Sequence, residues 1–275
     1  AQAATSRKGT VGITGRNSPI RPSSRNSPAS ASSAQRAAPV VWRVDVGEPV
    51  SMGSYDLLIN RALNVSCVNC SQTNDINDRT YWGIMASNYS KNLLYDNCRW
   101  SRFDAHMGVA NATIRNSTLG HMGINAIGTG VLTVENSTVY GSNFINLRSD
   151  YGSTWQGEVV IRNSVFVPAG GRPVSASLIG GRNSGMHDFG YTAYMPERIT
   201  LESVRIDDSN HPEDYEGPSI FANFNPEMTN DTYLEKYPHV RTKEVILRNV
   251  TTESGKKIRV SDNPYLFKDV KIKTE

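Results

Sequence analysis

Three short segments of this chain carry polar groups on either side of a small or apolar residue: Asp104-Ala105-His106, Asn125-Ala126-Ile127 and Asn146-Leu147-Arg148. In an extended chain, alternation sends Ala105, Ala126 and Leu147 inward and the flanking residues outward. Laid one over another, the segments give a column Asp104–Asn125–Asn146 beside a column His106–Ile127–Arg148. Such a set can remove a proton next to a carboxylate. His106 is the base, with Asp104 orienting it, and Arg148, helped by Asn125 and Asn146, neutralises the charge that develops. His121, in a GHMG turn, or Tyr151 supplies the acid. Strands ~4.8 Å apart leave roughly 10 Å between His106 and Arg148, a gap that admits part of a ring-shaped substrate. The chemistry requires no cofactor. Asp104 and the two Asn carbonyls are nonetheless oxygen ligands of the kind Ca²⁺ accepts, whereas the His residues are too dispersed for zinc.

These columns exist only if successive segments stack, and the sequence repeats in a way that stacks them. One alternating phrase ending in Asn or Ser recurs as NVSCVNC (64–70), NLLYDNC (92–98), ATIRNS (112–117), LTVENS (132–137), VVIRNS (159–164), ITLESV (199–204) and VILRNV (245–250). Its Asn or Ser falls at 69, 97, 116, 136, 163, 203 and 249, in steps of 28, 19, 20, 27, 40 and 46. A second alternating phrase lies between copies: YDLLIN (55–60), WGIMAS (82–87), FDAHMG (103–108), INAIGT (124–129), FINLRS (144–149), SASLIG (175–180), SIFANF (219–224) and KIRVSD (257–262). Helical spacing is hard to find in 55–275. Two strands per ~20 residues, stacked in register, predict an all-β parallel solenoid with an inward Asn ladder at a tight turn. The N-x-S/T matches at Asn64, Asn69, Asn111, Asn116, Asn136 and Asn249 are read as that geometry rather than as glycosylation.

Longer connections flank the second-phrase strand on both sides: 149–158, 181–197 and 225–244 after it, and 71–81, 167–173 and 207–218 before it. They wall that face into a groove, and they carry Tyr151, Trp155, His187, Asp188, Tyr191, Tyr194, Asp207, Asp208 and His211. Trp155, His187, Asp188, Tyr191 and Tyr194, with Asn125 and Asn146, are the candidate substrate-binding residues.

The 275 residues carry a formal charge of +3 that is unevenly spread. Residues 1–44 hold seven Lys/Arg and no acid, which leaves 22 basic against 26 acidic side chains in the rest. Residues 1–44 therefore read as a basic, Ser/Pro-rich tail or linker whose GTVGITG could dock on the body, and 45–275 as the folded domain. No nucleic-acid or membrane partner is expected, no signal peptide is read, and the oligomeric state is open. Cys67, Cys70 and Cys98 are too few for a disulfide-built scaffold. Cys70 and Cys98 each follow a ladder Asn and should stack. Cys67 should face the opposite side from Cys70, and buried thiols are expected, with a Cys70–Cys98 bridge as the alternative.

Over about residues 50–275 this phrasing resembles the right-handed parallel β-helix proteins of the pectate-lyase-like superfamily. The resemblance implies a single-stranded right-handed parallel β-helix of about eight coils, with long loops flanking one sheet. It also implies a secreted or cell-surface protein acting on a polysaccharide, and an acidic one suits Arg148. A lyase that cleaves a uronate-containing chain by β-elimination is the leading expectation. Hydrolysis and C5 epimerisation are alternatives, as is a non-catalytic glycan-binding or tailspike-like β-helix. Asn74-Asp75, Asp104, Gly120-His121 and Arg148 also resemble the β-helical polygalacturonases. Their adjacent Asp pair is missing at 104, however, and their GHG is GHMG here.

Overall fold

The computed structural model describes the backbone of Val11–Thr14 and residues 57–73, 75–78, 85–148, 154–168, 176–182, 185 and 192–275. Every regular element among them is a strand, with no helix. Nineteen strands join in one curled sheet whose pairings are all parallel. Ala193–Tyr194 and His239–Val240 pair in parallel as a separate two-stranded ribbon.

The chain visits three stacks of strands in rotation. The second phrase forms one stack, running from Leu57–Asn60 and Met85–Asn88 through the middles of Arg99–Arg115 and Thr118–Glu135 to Asn143–Leu147, Ser177–Gly180, Ser219–Phe221 and Arg259–Ser261. The first phrase forms another, from Leu63–Val68 and Lys91–Asp96 to Trp155–Arg162, Arg198–Glu202, Glu244–Arg248 and Lys271–Thr274. The third stack was not expected. It holds short strands just after the ladder Asn: Thr138–Gly141, Val165–Pro168, Arg205–Ile206 and Thr251–Thr252. At two to four residues these are too short for alternation to declare them. Within 1–44, Val11–Thr14 pairs in parallel with Leu57–Asn60, so these four residues extend the second-phrase stack.

The turn between the first and third stacks repeats one backbone geometry. Asn69, Asn97, Asn116, Asn136, Asn163, Ser203 and Asn249 all have φ between 47° and 58°. Asn enters this left-handed region more readily than other non-glycine residues. The side chains bond from level to level, as Asn97 Nδ2 does to Asn69 Oδ1 at 2.7 Å and Asn136 Nδ2 to Asn116 Oδ1 at 3.3 Å. The ladder faces solvent, contrary to the inward ladder expected. The residue after each Asn takes the inward place instead. There Ser117, Ser137 and Ser164 accept the N–H of the equivalent residue one level earlier through Oγ, at 3.0–3.1 Å.

The same turn corrects the cysteine geometry. Because Asn69 swings the chain, Cys70 points inward together with Cys67, and both are buried with Cys98 as free thiols. Hydrogen bonding with Cys70, and then burial, push the Cys67 and Cys98 thiols well up. The core runs up the axis. Tyr95 meets Trp100 and Phe103 edge-on at 5.2 and 5.0 Å, Phe144 stacks on Phe166 at 5.4 Å, and Phe221 stacks on Phe267 at 4.2 Å. No helix among the described residues is long and apolar enough to cross a membrane.

Candidate functional site

The register needed for the polar column is present. Asp104 pairs with Asn125 and Asn125 with Asn146, while Ala105 pairs with Ala126 and Ala126 with Leu147. Ala105, Ala126 and Leu147 are fully buried beneath, so the column lies on the outer face of the second-phrase stack. Asn146 Nδ2 donates to Asn125 Oδ1 at 2.9 Å, and Asn125 Nδ2 donates to the Met122 carbonyl at 2.8 Å.

Asp104 departs from the exposed position expected of it, having no accessible surface. Arg102, two residues earlier on the same face, pairs with Asp104 through Nη2. Arg148 reaches back two levels, placing Nη1 3.2 and 3.1 Å from the two carboxylate oxygens. Asp104 is therefore clasped by two guanidiniums. The expected gap between His106 and Arg148 also takes a different form, because the Arg148 side chain spans toward Asp104. Arg102 was not anticipated, although its i−2 spacing from Asp104 is the signal that would have found it.

His106 sits in a bulge. Pairing passes from Ala105↔Ala126 directly to Val109↔Gly128, so His106, Met107 and Gly108 oppose Ile127 alone. Ile127 is buried but does not join the axial core, so the place beside the polar column is covered rather than open. Gly108 makes the bulge possible, with φ at +61° and any Cβ only 2.9 Å from the Tyr89 ring. His106 turns toward the previous level, where Nδ1 lies 3.0 Å from Asn88 Oδ1. With the amide oxygen as acceptor, the proton of the neutral ring sits on Nδ1. Bulges re-aim side chains in this way, and Asn88 is a second residue that sequence reasoning missed.

The remaining candidates are held in different ways. His121 donates Nδ1–H to the Ile76 carbonyl at 3.0 Å, and its backbone N–H reaches the same oxygen at 3.2 Å. It thus pins the connection that follows Ser71 against the strand. Trp155 corrects the expectation of a groove aromatic. It opens the strand Trp155–Arg162, is fully buried, and donates Nε1–H to the Gly130 carbonyl at 3.1 Å. Tyr194 is half-buried in the short ribbon. Asp208 is buried and accepts bonds from Tyr215 Oη at 2.9 Å and from Ser254 N and Oγ at 2.8 and 2.7 Å, a structural anchor rather than a groove wall. Tyr151, His187, Asp188, Tyr191 and Asn74 lie outside the described residues.

Asp104, Asn125 and Asn146 do not suit Ca²⁺. Both Asp104 oxygens already face guanidinium N–H groups, the Asn125 oxygen takes an amide N–H, and two Arg charges repel a divalent cation from the same spot.

No family model matches this chain, and no solved structure matches it. Over 141 residues the chain is 29% identical to the capsule KL64-specific depolymerase of Klebsiella phage P510, a match covering 43% of this chain. The chain spans only about 14% of the length of that relative, so the likeness is to one stretch of a much larger depolymerase.

Proposed function

We propose that this chain belongs to a polysaccharide-degrading protein acting outside the cell, with the substrate lying along the outer face of the second-phrase stack. The partial likeness to a capsule depolymerase carries this reading. The registered column beside His106 and Arg148 supports the choice of that face. The curled parallel sheet is read as a right-handed β-helix of about eight coils, of the pectate-lyase-like kind.

The finer proposal is β-elimination on a uronate-containing chain. His106 Nε2 takes the proton α to the sugar carboxylate, and that electron pair forms the new C=C bond. The glycosidic C–O bond breaks, and the leaving oxygen gains a proton from Tyr151 or His121. Arg148, partly exposed and held in place by Asp104, presents a fixed guanidinium to the carboxylate. Hydrolysis is less well served, because it needs two carboxyls ~5–9.5 Å apart and Asp104 is engaged by both arginines. One observation favours a non-catalytic glycan-binding reading: Arg148 and Asp104 already satisfy each other.

The test is incubation with KL64 capsular polysaccharide, pectin, alginate and glycosaminoglycans. Ultraviolet absorbance of an unsaturated uronate is the expected product signal. Reducing ends without it mean hydrolysis, and binding without either product means a glycan-binding module. His106→Ala should lower turnover by ~10²–10⁴-fold, and full activity in both His106→Ala and Arg148→Ala would sink the assigned roles.

A further inference from the structure

Beyond the candidate site, Gly185 and Ala193–Tyr194 meet the connection 222–243. A Cβ on Gly185 would lie 2.2 Å from the Tyr237 ring, and Ala193–Tyr194 pairs with His239–Val240. Near their meeting point is a cleft of about 540 Å³ lined by Arg182, Asn225, Glu227, Tyr233, Lys236 and Tyr237. We propose that this cleft is a subsite for an acidic sugar residue of the same polysaccharide, engaged by Arg182, Lys236 and the Tyr233 and Tyr237 rings. The inference rests on the proposed function and extends it to a place that no comparison assigns.

Three observations carry it. First, the cleft is built rather than draped. Phe224 is fully buried beneath it. Asn263 Nδ2 ties the connection down on Asn223 Oδ1, Asn225 O and Met228 O, at 3.1, 3.2 and 3.0 Å. Asn225 and Asn230 close local turns by accepting the N–H of Glu227 and Thr232, and Lys268 pairs with Asp231. A site organised before binding forfeits less ordering entropy.

Second, the lining has the chemistry that a charged sugar needs. Tyr233 donates its hydroxyl to Glu227 Oε2 at 3.0 Å, which fixes the ring. The Lys236 ammonium lies 5.1 Å from the centroid of the Tyr237 ring. Aromatic faces pack against the C–H face of a pyranose, Asn225 and Glu227 suit hydroxyls, and a guanidinium meets a carboxylate in two parallel bonds. The volume falls within the ~300–1,000 Å³ of small-molecule sites.

Third, the cleft is in line with Arg148. Gly180 pairs with Asn146, and Ile179 pairs with Phe221. Arg182 and Arg148 each follow the Gly180–Asn146 pair by two residues, at the ends of neighbouring strands about 5 Å apart along the stack. A glycan lying across the strands passes from one place to the other.

The test uses whichever polysaccharide the protein degrades. Arg182→Ala and Tyr233→Ala should each raise KM about tenfold with kcat unchanged, the signature of a contact made equally in ground and transition states. Unchanged KM in both overturns the inference and leaves the proposed function standing. If no polysaccharide is degraded, that function fails and binding decides the inference. The probes are hexamers of galacturonate and mannuronate and their carboxyl-reduced counterparts, titrated into the full chain carrying His106→Ala. Preference for the acidic forms, lost in Arg182→Ala, supports the site. Equal affinity for the reduced forms, or no binding, overturns it.

Discussion

Asp104 shows how a residue chosen for chemistry acquires a structural task. Its position facing outward from the sheet would expose a carboxylate, but Arg102 and Arg148 close over it and leave it no surface. Removing one member of such a buried group is costly because the others stay desolvated without their counter-charge. Asp104→Ala is therefore expected to lose about 3–5 kcal/mol of stability, measured by urea unfolding followed through Trp fluorescence. Asp104→Asn should recover little, since an amide presents N–H groups to guanidiniums. If catalysis instead depends on His106 and Asn88, Asn88→Ala should depress turnover with the fold intact, because the imidazole loses the oxygen that holds its tautomer. A circular dichroism spectrum beside the rate assay separates the two effects.

Two elements translate sequence into geometry, the left-handed turn and the long connection. At the turn, Asn116 has φ at 52°, donates to Asp96 on one neighbouring level and accepts from Asn136 on the other. Asn116→Ala loses those bonds and pays about 1–2 kcal/mol for the left-handed backbone. Asn116→Gly keeps the backbone at ease and loses the bonds alone, so it should unfold at a higher denaturant midpoint than Asn116→Ala. On the connection, burial lowers the His239 pKa to about 4, with Glu235 opposing that shift and Arg241 adding to it, while its ring stacks on Phe224 at 5.7 Å. An unfolded His takes its proton near pH 6.5, so from there down to about 4 the unfolded chain binds a proton that the native one refuses. Stability is thus full above pH 6.5 and falls through that window, by up to about 3 kcal/mol. Protection factors in 224–240, with the intrinsic exchange rate at each pH divided out, should fall from pH 7 to pH 5 in the native sequence. His239→Gln should abolish most of that difference.

Over the whole molecule, the spacing of the ladder Asn was readable because it is the pairing offset itself. The sequence steps of 28, 19, 20, 27, 40 and 46 recur as the separations of residues bonded across neighbouring levels. Alternation likewise fixed which of Ala105, Ala126 and Leu147 faced inward. Features that break the period were hidden. The bulge at His106–Gly108 inserts two residues against Ile127, the third-stack strands are too short to alternate, and Trp155 begins a strand inside an apparent loop. Each depends on contacts with another level, which no single repeat records. That contrast locates the tolerance of the fold. Residues 207–218 leave and rejoin the stacks without joining a strand, whereas Asn116 and Ser117 are locked to the levels on both sides. A Gly-Ser insertion between Glu213 and Asp214 should leave the melting temperature within a few degrees. The same insertion between Asn116 and Ser117 moves Ser117 out of its inward place and breaks its bonds to Cys98 and Ser137. Because each level templates the next, the damage propagates up and down the stack. Loss of cooperative melting in the second variant alone is the expected result, read by circular dichroism in the β region.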